Sequence, residues 1–98
     1  INKVNNYGIT PLIKAVVSER EKLVTLLVER NTDVNYQDEN DETALMHAVR
    51  IGNVVIVEKL IDMGANKKLR NTSGMTAAKI ALLKLQETGN PDILRLVS

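Results

Sequence analysis

The chain contains no cysteine, no tryptophan and no phenylalanine, and its only aromatics are Tyr7 and Tyr36. Without cysteine there is neither a disulfide framework nor a thiolate metal site, which fits an intracellular, cytoplasmic setting. A globular core of this size normally fills its centre with a few large aromatic rings. Here the apolar content is Leu, Ile, Val, Ala and Met, which suits thin stacked layers of helices. No apolar run approaches the ~20 residues that span a bilayer. The polar start, Ile1 to Asn6, does not read as a signal peptide. It also lacks an initiator methionine, so the chain is expected to be a piece of a longer protein. Charge of one sign is missing too: 13 Lys and Arg face 12 Asp and Glu, for a net charge of +1. Nothing in that balance points to nucleic acid or an acidic membrane surface.

What is present is a repeat. Over 98 residues, 44% hydrophobic and 26% charged, the composition is that of one soluble domain. Three segments align, Thr10-Pro11-Leu12-Ile13-Lys14-Ala15, Thr43-Ala44-Leu45-Met46-His47-Ala48 and Thr76-Ala77-Ala78-Lys79-Ile80-Ala81, with their threonines 33 residues apart both times. Between residues 10–35 and 43–68 the identical positions are Thr10, Leu12, Ala15, Val16, Val24 and Leu27. All but the threonine are apolar, so the element that repeats is a buried face, as stacked units require. The period divides the chain into units of about 5–37, 38–70 and 71–98 in a single domain.

Each unit reads as two helices. Leu12, Ala15 and Val16 lie three and four apart, followed by Leu23, Val24, Leu27 and Val28; Leu45, Ala48, Val49 and then Ile56, Val57, Leu60, Ile61 repeat the pattern. Thr10 can cap a helix and Pro11 suits its first turn; Asn90-Pro91 repeats that logic. Gly64, and Asn31 at the equivalent position, suit a left-handed residue after a helix. The polar stretches 33–42 and 66–75 read as projecting loops. Gly8, Asp41 and Gly74 share one position two residues before each repeat threonine, where a tight turn with positive φ is expected.

The period, the Thr-Pro-Leu start and the exits Thr32-Asp33-Val34-Asn35 and Gly64-Ala65-Asn66 resemble the ankyrin repeat. The resemblance implies an all-α solenoid of about three stacked helix-turn-helix units with projecting hairpin loops. It implies a non-catalytic module that binds another protein through hairpin tips and a concave face of first helices, with no cofactor or small-molecule substrate. A ligand-sensing or regulatory repeat domain beside a larger enzyme or signalling protein is the alternative. Departures from the pattern are visible. The family's histidine position holds Ile13, Met46 and Lys79, with His47 one place later. Glu19-Arg20 stands where Gly52-Asn53 separates the second helix pair. The third unit has four extra residues, about one helical turn, so its first helix should be longer, with Ala78, Ala81, Leu82 and Leu85 holding the core spacing.

Candidate site residues follow from the rows that vary between units. Tyr7, Asn40 and Ser73 form one row; Ile9, Glu42 and Met75 form another. With Glu39 on the middle tip and Ser18 and Arg50 on the first helices, these are the expected partner-binding residues. The run Asp38 to Glu42 lacks the alternating ligand spacing of a calcium loop and reads as a solvated tip facing the basic tip Lys67-Lys68-Leu69-Arg70. His47, the single histidine, has no nucleophile or base arranged around it and reads as an ordinary helix side chain; no metal site is expected. Leu27, Asp33, Val34 and Asn35 resemble the motif of asparaginyl hydroxylation in animal ankyrin proteins, which makes Asn35 a candidate modification site.

Overall fold

Apolar residues at helical spacing, bounded by caps, produce short paired helices. In a computed structural model describing residues 11–30, 33–88 and 91–98, these are α1 (Pro11–Val17), α2 (Glu21–Glu29), α3 (Ala44–Ile51), α4 (Val54–Asp62), α5 (Ala77–Thr88) and α6 (Asp92–Val97). Among the described residues there is no strand. Within each unit the two helices pack on one another. Between units α1 packs on α3 and α3 on α5, while α2 packs on α4 and α4 on α6. The result is two layers of helices, an ankyrin-type solenoid. The expectations at Tyr7, Gly8, Ile9, Thr10, Asn31 and Asn90 fall outside the described residues.

The core is the repeated apolar face. Leu12, Ala15, Val16 and Val24 from the first pair meet Leu45, Ala48, Val49, Ile56, Val57 and Leu60 from the second, and Ala77, Ile80, Ala81 and Val97 complete it. Caps fix where the helices start. The Thr43 hydroxyl accepts a hydrogen bond from Met46 N (3.2 Å), Asn53 Oδ1 from Ile56 N (3.1 Å) and the Thr76 hydroxyl from Lys79 N (3.2 Å), each satisfying an amide that has no partner inside its helix.

The third unit carries its extra turn as the sequence suggests: α5 has 12 residues where α3 has 8. Its buried stripe differs from the expected one. Ala77, Ile80 and Ala81 are buried, whereas Ala78 and Leu85 are half-buried and Leu82 is 40% exposed. Leu82 is the equivalent of Val49, which is fully buried; among the described residues α3 is packed between α1 and α5, whereas α5 packs chiefly on α3 and α6.

Candidate functional site

The loops between helix pairs are built on one repeated turn. Asp38 N donates to Glu42 O (3.0 Å) and Asp41 N to Asp38 O (2.8 Å). One period later Asn71 N donates to Met75 O (3.0 Å) and Gly74 N to Asn71 O (2.9 Å). The side chains repeat as well. Asp38 Oδ1 accepts from the amides of Asn40 and Glu42, and Asn71 Oδ1 from those of Ser73 and Met75, all at 2.9–3.0 Å. The turn demands positive φ at its fourth residue, which Gly74 (φ 77°) adopts freely and Asp41 (φ 57°) under strain.

Adjacent loops are joined side by side. Thr72 N donates to Asn40 O (3.0 Å), and Gln37 Nε2 donates to both Arg70 O and Asp41 O (2.9 Å each). Nearer the helices Asn66 N donates to Asn35 Oδ1 (2.6 Å), while Asn35 Nδ2 reaches Gly64 O (3.4 Å). Asn35, singled out for possible hydroxylation, is half-buried with both ends of its carboxamide engaged in this joint. These amide and backbone bonds, rather than attraction between an acidic and a basic tip, are the joints observed between the loops.

The acidic run divides inside that turn. Glu39, Asn40 and Asp41 are exposed, but Asp38 and Glu42 are turned inward and buried, so the run is not uniformly solvated. Glu42 accepts a bidentate pair of hydrogen bonds from the Arg50 guanidinium (2.5 Å each) and a third from Asn71 Nδ2 (3.1 Å). Burial pushes the Glu42 carboxyl up, yet the bonds from Arg50 and Asn71 and the charges of Arg50 and His47 together hold it below its ordinary value. Burial likewise raises Asp38, and the bonds from His47 and from the amides of Glu42 and Asn40 outweigh it, leaving that carboxyl lowered as well. The bonds with Glu42 raise the Arg50 guanidinium against its own desolvation.

His47, read from sequence as an unremarkable helix side chain, belongs to this network. Its Nε2 lies 2.9 Å from Asp38 Oδ2 and 3.7 Å from Glu42 Oε1. Asp38, Glu42 and His47 converge closely enough to hold an ion by distance, but the Arg50 cation already occupies both Glu42 oxygens. The arrangement therefore ties the turn to α3. The signal that could have found it was the 33-residue offset pairing Asp38 with Asn71, two residue types that accept from their own turn amides.

The remaining candidates separate into three places. Glu39, Asn40 and Ser73 are exposed on the joined tips. Arg50 and half-buried Met75 come together in a shallow cleft between α3 and α5, lined also by Ile80, Leu83, Lys84 and Glu87. Ser18 lies elsewhere, in a cleft on the outer side of α1 and α2. Glu42, expected as an exposed contact, is 9% exposed and acts by holding Arg50.

A description of this fold in known proteins matches the chain. The family model for ankyrin repeats (many copies) matches residues 12–61. The chain is 44% identical over 84 residues to ankyrin repeat and SAM domain-containing protein 6 of Rattus norvegicus, covering 85% of this chain and 10% of the relative. The Mus musculus protein of the same name is 43% identical over the same length. A putative ankyrin repeat protein of Acanthamoeba polyphaga mimivirus is 37% identical over 79 residues, covering 78% of this chain and 49% of the relative. The chain belongs to the ankyrin repeat family. It spans 10% of the length of the two mammalian relatives and 49% of the viral one. Ankyrin repeats are in general protein-interaction modules, and the family is typically non-catalytic. No helix of the described residues is long and apolar enough to cross a membrane.

Proposed function

We propose that this chain holds a partner protein on the surface formed by its joined hairpin tips and the cleft between α3 and α5, and that it catalyses nothing. The carrying observation is that the tips are fixed by bonds from their own backbone while their side chains remain outward. Glu39, Asn40 and Ser73 face solvent, and Met75, Arg50 and Leu83 lie in the adjoining cleft. A surface held in place before binding loses little freedom when a partner arrives. Met75 and Leu83 supply apolar contact area and Arg50 a charged contact, itself steadied by Glu42. Tyr7 and Ile9 extend the same rows by sequence equivalence. The single histidine is committed to the turn, its Nε2 2.9 Å from Asp38 Oδ2. A cytoplasmic location accompanies this reading.

A test compares two surface variants. Met75→Ala with Leu83→Asp alters the cleft; Leu26→Asp alters α2 on the opposite layer, where Leu26 is 42% exposed. With a partner captured on the parent chain, titration calorimetry should show at least tenfold weaker binding for the cleft variant, a loss of about 1.4 kcal/mol or more. Leu26→Asp should bind as the parent does. Equal binding by the cleft variant, with circular dichroism showing both folded, would place recognition on another face.

A further inference from the structure

The basic run from Lys67 to Arg70 has no role in the joints described above. Lys68 and Arg70 are exposed, and among the described residues neither forms an ion pair. Lys67 Nζ donates to two carbonyls, Leu96 O and Ser98 O, at 3.4 Å each. The run leads straight into the second loop turn, so that Arg70 stands three residues and Lys68 five residues before Ser73. Three hydroxyls of the chain follow a cation by three residues: Thr25 after Lys22, Ser73 after Arg70 and Ser98 after Arg95. Their surroundings separate them. The Thr25 hydroxyl donates to Glu21 O within α2 (3.2 Å), and the Ser98 hydroxyl donates to Leu94 O at the end of α6. Ser73 is exposed, and among the described residues its hydroxyl has no hydrogen-bond partner. The turn holds Ser73 by its backbone instead, the Ser73 amide donating to Asn71 Oδ1 (2.9 Å).

We propose that Ser73 is a phosphorylation site for a serine/threonine protein kinase whose substrate groove is lined by carboxylates. Arg70 offers such a groove a guanidinium that pairs with carboxylates in bidentate fashion, and Lys68 offers a second cation; charge patterns of this kind are how kinases choose substrates. In the transfer, Ser73 Oγ attacks the γ-phosphorus of a nucleoside triphosphate. The new O–P bond forms as the bond from that phosphorus to the bridging oxygen breaks. The nucleoside diphosphate leaves with the electron pair, and the hydroxyl proton passes to a carboxylate of the kinase. The turn itself is closed by main-chain bonds from Asn71 N to Met75 O and from Gly74 N to Asn71 O, so the phosphate is added without breaking either. It brings a charge of about −1.5 to −2 to joined tips that already carry exposed Glu39 and Asp41. On the partner surface proposed above, that addition turns away anionic partners; the modification itself does not depend on that reading.

The test incubates the folded chain with magnesium, ATP and a purified serine/threonine kinase selective for arginine three residues before the hydroxyl. Peptide mass spectrometry then locates the product. The folded chain should gain one phosphoryl group, on Ser73, while Thr25 and Ser98 stay unmodified. Ser73→Ala should gain none. Arg70→Ala should slow the transfer at least about tenfold, with Arg70→Lys in between. Circular dichroism should match the parent for each variant, since the bond that Arg70 gives the fold, from Gln37 Nε2, is to its main-chain oxygen. Phosphate gained only after denaturation in urea, phosphate on Thr25 or Ser98 in place of Ser73, or a rate untouched by Arg70→Ala would overturn the proposal. The cleft variants described above test the partner surface separately, so either idea can fail without the other.

Discussion

Glu42 and Asp38 show how a loop residue can be more constrained than a helix residue. Each carboxylate is drawn out of water and then compensated, Glu42 by Arg50 and Asn71, Asp38 by His47 and two backbone amides. Both carboxyl groups are lowered in the folded chain. The sign of the pH effect follows from that direction. A lowered group contributes stability that is complete above the unfolded carboxylate range of about 4 and is lost as pH falls through the folded value. Glu42→Gln should therefore cost about 1–2 kcal/mol at neutral pH, because the half-exposed Arg50 can recover water while buried Asn71 keeps a weaker acceptor. Urea titrations at about pH 7, 5 and 3 would read it. The gap between parent and variant should close toward the lowest pH, and a constant gap would show that Glu42 is not held ionised by the fold.

At the scale of elements, the two halves of an inter-helix turn differ in quality. Gly52 and Asn53 link α3 to α4 with φ 87° at glycine and a side-chain cap on Ile56 N. Glu19 and Arg20 do the same between α1 and α2, with φ 57° at a residue that has a Cβ and no side-chain cap from Arg20. The substitutions Glu19→Gly and Arg20→Asn should together stabilise the chain by about 1–2 kcal/mol, the sum of relieved left-handed strain and a restored cap. The loss of the exposed contact between Glu19 Oε1 and Asn53 Nδ2 (3.3 Å) is a small offset. Thermal melts of the double variant would detect the gain. An unchanged midpoint would mean that the first turn is relaxed in some other way.

For the molecule as a whole, stability should follow interfaces between neighbours. Leu45 sits in the middle pair at 1% exposure, so Leu45→Ala should cost about 2–5 kcal/mol, whereas Glu39→Ala on a tip should stay within ~0.5 kcal/mol. Equal denaturation midpoints for the two would contradict the core assignment. The same contrast explains what the sequence disclosed. The stack was legible because its buried positions recur: Leu12 with Leu45, Val16 with Val49, Val24 with Val57. The lengthened α5 was legible because four extra residues make one turn. The fate of Asp38 to Glu42 was not legible from composition, since a five-residue acidic run gives no sign of which members the turn directs inward. His47 was missed for a related reason. Its partner Asp38 lies nine residues earlier, on a loop whose closure brings the two together. Leu82 read as core because periodicity records spacing and does not record which helices pack on that face among the described residues.

One bond on the tips has a consequence for how such a surface can change. The contact from Thr72 N to Asn40 O, like the bonds that close each turn from Asp38 to Glu42 and from Asn71 to Met75, runs between main-chain atoms. Its geometry is indifferent to the side chains written at positions 39, 40, 72 and 73, provided that 40, 72 and 73 keep the backbone N–H that proline lacks. The frame is spelled by Asp38, Glu42, Asn71 and the apolar helices, while those four outward positions are a text that can be rewritten without disturbing the page. Under the proposed function, new vocabularies of recognition can therefore accumulate there by single substitutions that a partner reads and the fold does not.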